Sequence, residues 1–345
     1  MSAPHAPEDT HQISPETTVL RLLRGPWIAQ SIHIAAKLGL ADLVKNEPQP
    51  ISELAQATGT HATSLYRLLR LLASVGIFTE VAAGHFGLTP LAATLRTDVP
   101  GSLHALATIY GTEMFWQPWG QIEHSIKTGE TAFAYVFGQS LYAYLAERPE
   151  TALLFEHAMS GLVSEVAKAV AATYNFSSLR RLVDVGGGNG TLISTILHTY
   201  PETVATLMDQ GPVVEHAKRQ LAEAGLTHRC ECVAGDFFQA VPAGGDAYIL
   251  STVICNWDEE RAITILKNCH RAMTKGSKLL LVEIVLPPGD TPSPGKLLDL
   301  QMMVITGGRD RTEAEYRTLL EAADFTLTQV VPTPSERSVI EATPA

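Results

Sequence analysis

The stretch that decides the fold is Leu182-Val183-Asp184-Val185-Gly186-Gly187-Gly188-Asn189-Gly190-Thr191. Its apolar start predicts the end of a buried strand, its glycines predict a tight turn, and Thr191 opens a helical pattern. Glycine is required where the backbone takes a positive φ or presses against a ligand. A strand, a glycine turn and a helix N-terminus in this order are typical of the nucleotide-binding corner of a doubly wound α/β sheet.

The spacing of the glycines indicates which kind of nucleotide is bound. Gly186-x-Gly188-x-Gly190 differs from the G-x-G-x-x-G pattern expected for a dinucleotide. Asp209 closes the next predicted strand, about twenty residues on, where an acid is placed to hold ribose hydroxyls. The pattern therefore favours a bound nucleoside cofactor, the alternative being a structural turn in an unrelated α/β protein.

The composition limits the classes of protein to consider. The chain has 345 residues, of which 46% are hydrophobic, and this length suits two domains. Its formal net charge of −11 argues against a general affinity for nucleic acid or anionic membrane. Its four cysteines form neither a disulfide framework nor a paired C-x-x-C zinc pattern, so no metal is predicted. The chain shows no apolar run of membrane length and no signal-peptide pattern, and we expect a soluble cytoplasmic protein. Residues 1–13 are predicted to be disordered.

The N-terminal region has a winged-helix pattern. Residues 17–43 predict two apolar helices broken at Gly25-Pro26, with enough apolar surface to suggest burial against a second subunit. Helices are predicted over 52–58 and 60–75, followed by a two-stranded wing. Arg67 and Arg70 invite a DNA-binding hypothesis, but both lie among leucines without the basic patch of a groove reader. A dimerisation or lid role is favoured.

Residues 101–178 form a helical connector rich in aromatic residues. Core packing accounts for most of these side chains, and a few are expected to line a pocket for a flat apolar ligand. Our candidates are Trp116, Phe155 and Met159.

The alternation of strands and helices becomes regular from residue 179. It predicts a mostly parallel sheet whose ligands lie at the carboxyl ends of its strands. The predicted strands cover 182–185, 204–208, 230–234, 247–252 and 278–285, with an antiparallel C-terminal pair at 326–331 and 337–342. A helix is predicted over 258–273, and Thr312 to Glu315 is a capping box that starts another.

Four motifs in order resemble one known family. They are Val183–Gly190, Gly235-Asp236-Phe237-Phe238, Asn256-Trp257-Asp258-Glu259-Glu260-Arg261 and Gly307–Thr312. Together they are similar to the S-adenosylmethionine-dependent O-methyltransferases of the caffeic-acid and bacterial polyketide-tailoring type. The resemblance implies a Rossmann-like class I methyltransferase sheet, S-adenosylmethionine as cofactor, a small hydroxylated aromatic substrate and a homodimer whose partner helps to close the active site.

The resemblance also implies domain boundaries and cofactor contacts. The domains would be a winged-helix dimerisation domain at 14–100, the connector at 101–178 and a catalytic domain at 179–345. Gly186 and Gly188 would approach the methionine portion, and Asp209 the ribose. The remaining cofactor residues would be Asp236 and Phe237 at the adenine, and Ser251. For Asp236 the alternative is a turn or helix cap.

The sequence departs from the family at the chemical position. The family usually carries a general-base His directly before the Asn/Asp-Trp-Asp segment, and here Cys255 occupies that place. The two acids that would orient the His are matched by Glu283 and Asp310, while Asp299 and Met302 lie on a helix expected to face the substrate. A free thiol is mostly protonated at pH 7 and is a poor base.

Three interpretations of Cys255 stay open. In the first, the protein transfers a methyl group to a substrate that is already ionised or is deprotonated by another residue. In the second, it keeps the cofactor for a pericyclic, decarboxylating or hydroxylating reaction. In the third, Cys255 is itself a nucleophile or methyl acceptor. Two hypotheses of other classes are a cofactor-sensing winged-helix regulator and an inactive scaffold subunit. Cys230 and Cys232 are expected to be half-buried thiols without a function.

Overall fold

A computed structural model describes residues 14–345, and the predicted disorder of residues 1–13 lies outside this part of the chain. The chain divides into two compact units, one extending to Gly111 and the other running from Thr112 to Ala345. Within residues 14–345, no helix is both long enough and apolar enough to cross a lipid bilayer.

The first unit contains the predicted helix pair. Its first two helices are α1 (Pro15–Leu23) and α2 (Gly25–Lys37), and the chain breaks at Arg24 because Pro26 can only occupy the first turn of a helix. The other helices are α3 (Leu40–Leu43), α4 (Ile51–Thr58), α5 (Ala62–Ser74), α6 (Pro90–Ala93) and α7 (His104–Tyr110). Large apolar side chains on α1 and α2 stay exposed within this chain: Leu22 at 73%, Leu23 at 67% and Trp27 at 66%.

The wing of this unit has three strands, one more than the sequence predicts. They are β1 (Gln49–Pro50), β2 (Phe78–Ala82) and β3 (His85–Leu88), in the order β1-β3-β2 with antiparallel pairing. Leucines of α4 and α5 pack with Phe78 and Phe86 to form its core. Helix, turn, helix and wing therefore follow one another as the winged-helix pattern predicts.

The second unit begins with a run of helices that ends in one long helix. The run comprises α8 (Glu113–Trp119), α9 (Ile122–Thr128), α10 (Ala132–Phe137), α11 (Leu141–Ala146) and α12 (Pro149–Thr173). The hydroxyls of Thr131 and Ser140 cap α10 and α11 by accepting backbone N–H groups. Phe133 is fully buried, while Tyr135 and Tyr142 are exposed, so the aromatic residues divide between core and surface.

A seven-stranded sheet forms the centre of the second unit. Its strands are β4 (Arg181–Val185), β5 (Val204–Asp209), β6 (Cys230–Ala234), β7 (Ala247–Ser251), β8 (Lys278–Glu283), β11 (Phe325–Pro332) and β12 (Ser338–Pro344), and a short pair is formed by β9 (Val285–Leu286) and β10 (Arg311–Thr312). The order β11-β12-β8-β7-β4-β5-β6 is parallel from β8 to β6, and β12 and β11 are antiparallel. The predicted sheet is confirmed. Strand β7 ends at Ser251, one residue early, because Thr252 takes a φ of +57°.

Helices cover both faces of this sheet. On these faces lie α13 (Thr191–Thr199), α14 (Gly211–Glu223), α15 (Glu259–Ala272) and α17 (Glu313–Glu321), the last with the predicted capping box, while α16 (Pro294–Ile305) packs against α8, α9 and α10. One apolar layer joins α12, α13 and α14 to the sheet, and the other joins α15 and α17. The strand order reverses direction at β4, between β7 and β5, which places the expected ligand site at the carboxyl ends of these strands.

Candidate active site

The glycine turn after β4 forms a cradle that side chains would fill. Gly186, Gly188 and Gly190 have φ values of +71°, +57° and +84°. A Cβ on Gly186 would lie 2.9 Å from Cγ2 of Val253 and 3.5 Å from Cε1 of Phe237. The turn, the segment after β6 and the segment after β7 therefore converge at one place. This brings three of the predicted cofactor residues together: Gly186, Gly188 and Phe237.

Two acids lie at the carboxyl ends of β4 and β5. Oδ2 of Asp209 accepts the N–H of Gly188 at 2.9 Å, so the predicted ribose acid holds the glycine turn. Asp184 is fully buried, and its Oδ2 has no hydrogen-bond partner among residues 14–345. Burial and the charge of Asp209 raise the pKa of Asp184 to about 7. Sequence reasoning did not assign Asp184 a role; an acid inside an apolar strand end was the signal that could have done so.

The residues predicted to meet adenine differ in their surroundings. Phe237 is half-buried and packs edge-on against Phe238 and Trp257, with ring centroids 4.9 Å and 6.2 Å away. Asp236 is exposed, and its Oδ1 accepts the N–H of Phe238 at 2.9 Å, which is the turn-capping arrangement considered as its alternative. Ser251 is half-buried at the end of β7.

This end of the sheet fits S-adenosylmethionine. The cofactor carries a positive sulfonium and an ammonium group, a ribose diol and an adenine ring. The carboxylates of Asp184 and Asp209 suit its cationic and hydroxyl groups, and the open glycine cradle admits a ligand close to the backbone. The ring of Phe237 offers an apolar face for adenine.

Cys255 lies in a 3₁₀ turn, Ile254–Asn256, that follows β7. Its sulfur and the carboxylates of Glu283 and Asp310 lie within 4.8 Å of one another, and all three residues are buried. Burial, and then the charges of the two acids, raise the pKa of the Cys255 thiol well above its usual range. Burial and the charge of Glu283 raise the pKa of Asp310 to about 7. The structure thus brings these three predicted residues together, and a thiol with a raised pKa is a poor base and a poor nucleophile.

The acids around Cys255 organise the backbone of the turn. Oε1 of Glu283 accepts the N–H groups of residues 253–255 at 3.1, 2.9 and 3.4 Å. The N–H of Arg309 donates to the carbonyl of Cys255 at 2.8 Å, and a Cβ on Gly308 would lie only 1.9 Å from that oxygen. Only glycine therefore allows the segment before Asp310 to lie against this turn.

Two further residues support this cluster. Oδ1 of Asp299, on α16, accepts the N–H of Asp310 at 2.9 Å, so this predicted pocket residue also fixes the position of the second acid. Arg337 donates from Nε to Oγ1 of Thr252 at 3.0 Å. Burial raises the pKa values of Cys255, Glu283 and Asp310, and the positive charge of Arg337 partly offsets that rise. Sequence reasoning missed Arg337, since no local pattern links it to a turn 85 positions away.

The other predicted pocket residues are half-buried on three helices: Trp116 on α8, Phe155 and Met159 on α12, and Met302 on α16. The indole N–H of Trp119 on α8 donates to Oε1 of Gln301 on α16. The amide of Asn189, in the glycine turn, donates to Oγ of Ser160 on α12 at 2.9 Å. Hydrogen bonds thus tie α8 to α16 and α12 to the cofactor end.

The doubly wound sheet, the glycine cradle and the acids at β4 and β5 define a class I S-adenosylmethionine-dependent methyltransferase. Profiles of two families match the chain: the O-methyltransferase dimerisation domain over residues 20–98 and the O-methyltransferase domain over residues 119–326. A phenazine O-methyltransferase from Lysobacter antibioticus is 48% identical over 326 residues, which cover 94% of this chain and 95% of that protein.

Solved structures agree with this class. The mitomycin 7-O-methyltransferase structure has a TM-score of 0.89 and 35% identity, over 96% of this chain and 98% of that one. An O-methyltransferase from neocarzinostatin biosynthesis, in complex with S-adenosylmethionine and 2-hydroxy-5-methyl naphthoic acid, has a TM-score of 0.81 and 32% identity over 94% and 98%. The chain belongs to the S-adenosylmethionine-dependent O-methyltransferase family with an N-terminal dimerisation domain.

Proposed function

We propose that this O-methyltransferase methylates an acidic hydroxyl group on a small, flat aromatic natural product and binds that hydroxyl as its anion. The observation that carries the proposal is the buried, protonated thiol of Cys255 in the place of the family's general base. A relative acting on a phenazine, and a structural neighbour bound to a hydroxylated naphthoic acid, support a fused aromatic acceptor. An acceptor that is already ionised needs no base, because it attacks the methyl group directly.

In this mechanism the protein supplies positioning. S-adenosylmethionine, when bound, supplies an electrophilic methyl group on a positively charged sulfur. Asp184, Asp209 and Phe237 would hold the donor at the ends of β4 to β6, while Glu283 fixes the turn that carries Cys255. Correct placement of two reactants contributes up to about 10⁵–10⁸ M of effective concentration, so positioning alone accounts for a large share of the rate.

The proposal includes a homodimer. Its support is the dimerisation-domain match together with the exposed side chains of Leu22, Leu23 and Trp27 on α1 and α2, which a second copy would cover. We also propose a cytoplasmic location, in keeping with four free cysteines. Sedimentation of the wild type beside a Leu22→Glu, Leu23→Glu variant tests the dimer, which the variant should lose.

The test of the reaction uses methyl-labelled S-adenosylmethionine and pairs of hydroxyphenazines and hydroxynaphthoates that differ in hydroxyl pKa. We expect wild type to label the more acidic member of each pair, at a rate that rises with pH through the hydroxyl's pKa and then levels. Cys255→His should accelerate the less acidic member by about 10²-fold or more. Equal, pH-independent rates for both members in wild type would refute anion binding. Cofactor binding without any label transfer would instead favour a non-methylating reaction.

A further inference from the structure

Tyr142 belongs to an aromatic wall that connects the two halves of the site. Its ring stacks on Trp257, with centroids 6.3 Å apart and planes at 24°. Trp257 lies two residues after Cys255 and packs edge-on against Phe237 and Phe238. The wall therefore runs from the ring expected to meet adenine to the turn that holds the base position.

The phenol of Tyr142 is influenced by residues of both halves of the site. Burial, and then the charges of Cys255 and Asp209, raise the pKa of this phenol to about 12. Cys255, at the base position, and Asp209, the predicted ribose acid, therefore both lie near enough to influence this phenol. With this pKa, Tyr142 keeps its proton at neutral pH and acts as a hydrogen-bond donor.

Tyr142 lies on helix α11, which packs against the rest of the unit through buried side chains. Leu141 and Leu145 of α11 are buried, and the hydroxyl of Ser140 caps the helix. Tyr142 itself is 48% exposed, whereas Cys255 is 3% exposed. The side chain of Tyr142 as a whole is therefore more accessible than that of Cys255, and it lies on a regular element.

The base position offers little to an anion. Cys255 is protonated, and the two acids beside it would repel negative charge when ionised. A hydroxyl that donates to a negatively charged oxygen forms a strong, charge-assisted hydrogen bond. We propose that the hydroxyl of Tyr142 donates a hydrogen bond to the ionised acceptor and thereby selects substrates bound as anions. This inference rests on the proposed function.

The test compares Tyr142→Phe with a matched control. Tyr142→Phe keeps the ring that stacks on Trp257 and removes only the hydroxyl. The control is Tyr135→Phe on neighbouring α10, where an exposed tyrosine stacks on His124 with centroids 4.1 Å apart. The probe is a monohydroxyphenazine whose absorption reports its ionisation, titrated into enzyme saturated with S-adenosylhomocysteine so that no turnover is needed.

We expect wild type to lower the pKa of the bound probe by about one unit or more, since hydrogen bonds to charged groups are worth that much. Tyr142→Phe should remove this shift and raise KM about tenfold, with a smaller change in kcat and an unchanged Kd for the cofactor. Tyr135→Phe should match wild type in each respect.

Two results would overturn the proposal. An unchanged probe pKa and KM in Tyr142→Phe would show that the residue is only a stacking surface. A weakened cofactor Kd with a normal probe pKa would assign the hydroxyl to the cofactor. The absorption titration separates these results from a failure of the proposed function, because it reports on binding even if wild type transfers no methyl group to the probe.

Discussion

The carboxyl edge of the sheet has a cofactor half and an acceptor half, and the two halves present different chemical groups. At the ends of β4 and β5, the cofactor half has an open glycine cradle and a buried carboxylate, Asp184, whose Oδ2 has no hydrogen-bond partner in the described part of the chain. At the ends of β7 and β8, the acceptor half presents a buried thiol, Cys255, and uses Glu283 to fix its own backbone. Under the proposed function, the cofactor half depends on charge and backbone shape, whereas the acceptor half needs no base as long as the ionised substrate is held in position.

Gly186→Ala should produce the largest effect in the cofactor half. The new Cβ would lie 2.9 Å from Val253, at a residue with a φ of +71°. Gly225→Ala is the matched control, because Gly225 has a φ of +70° and open space around it. Both variants carry the ~1–2 kcal/mol cost of a left-handed backbone. Only Gly186→Ala should also weaken cofactor binding, by about 10²-fold in calorimetry.

Equal cofactor affinity in these two glycine variants would break the comparison. It would mean that the contact between the glycine turn and Val253 does not shape the cofactor cleft, and that the two halves are less closely joined than the structure indicates.

Asp209→Asn should produce the next largest effect. The amide oxygen can still accept the N–H of Gly188, which Asp209 holds at 2.9 Å, while the charge and the acceptor for the N–H of Gln210, now at 2.7 Å, are lost. We expect cofactor affinity to fall about 10–100-fold, the usual range for hydrogen bonds to a charged group. Asp236→Asn is the informative companion, since Asp236 is exposed and caps a turn. A loss as large in Asp236→Asn would restore its predicted role at adenine.

The pH dependence of cofactor binding should be a smaller effect of the same half. Because the pKa of Asp184 is raised to about 7, this carboxyl is partly protonated at neutral pH. A cationic ligand favours the carboxylate, so binding should tighten between pH 6 and 8 by about tenfold and release a proton. Calorimetry in buffers of different ionisation enthalpy measures that proton. Asp184→Asn should abolish both effects, and a pH-independent Kd in wild type would contradict the assignment.

The same group makes a prediction for the protein without cofactor. The pKa of Asp184 is about 7 in the folded state, whereas in the unfolded state this carboxyl has the ordinary pKa of 3.8 for an aspartate. Stability should therefore fall as pH rises from about 4 to 7, by at most ~1.4 kcal/mol per pH unit from this group. Urea unfolding of wild type and Asp184→Asn measures the difference.

The sequence predicts those features of the fold and the site that leave a local pattern. Positive φ values at Gly186 and Gly188 require glycine, and apolar runs mark the strands, so both leave local patterns. Strand β1, in the first unit, was not predicted because it has only two residues and no alternation of apolar and polar side chains. The effect of Arg337 on the pKa of Cys255 was not predicted because Arg337 lies in a distant segment of the sequence. The hydrogen bond of Asp236 to its own turn is equally invisible without coordinates, since a cap and a ligand contact use the same residue type.

Cys255→Ala should have the smallest effect on catalysis, and it separates the interpretations of this residue. If the thiol only fills space, kcat/KM for an ionised acceptor should stay within about threefold of wild type, because no proton transfer is lost. The cost should appear in stability instead, as ~1–2 kcal/mol for a truncated buried side chain. Cys269→Ala is the matched control, a fully buried thiol on α15. A loss of about 10²–10⁴-fold in Cys255→Ala alone, with the cofactor Kd unchanged, would make the thiol a participant in proton transfer. It would also mean that the acceptor half keeps a base after all, despite the burial that holds the pKa of Cys255 so high.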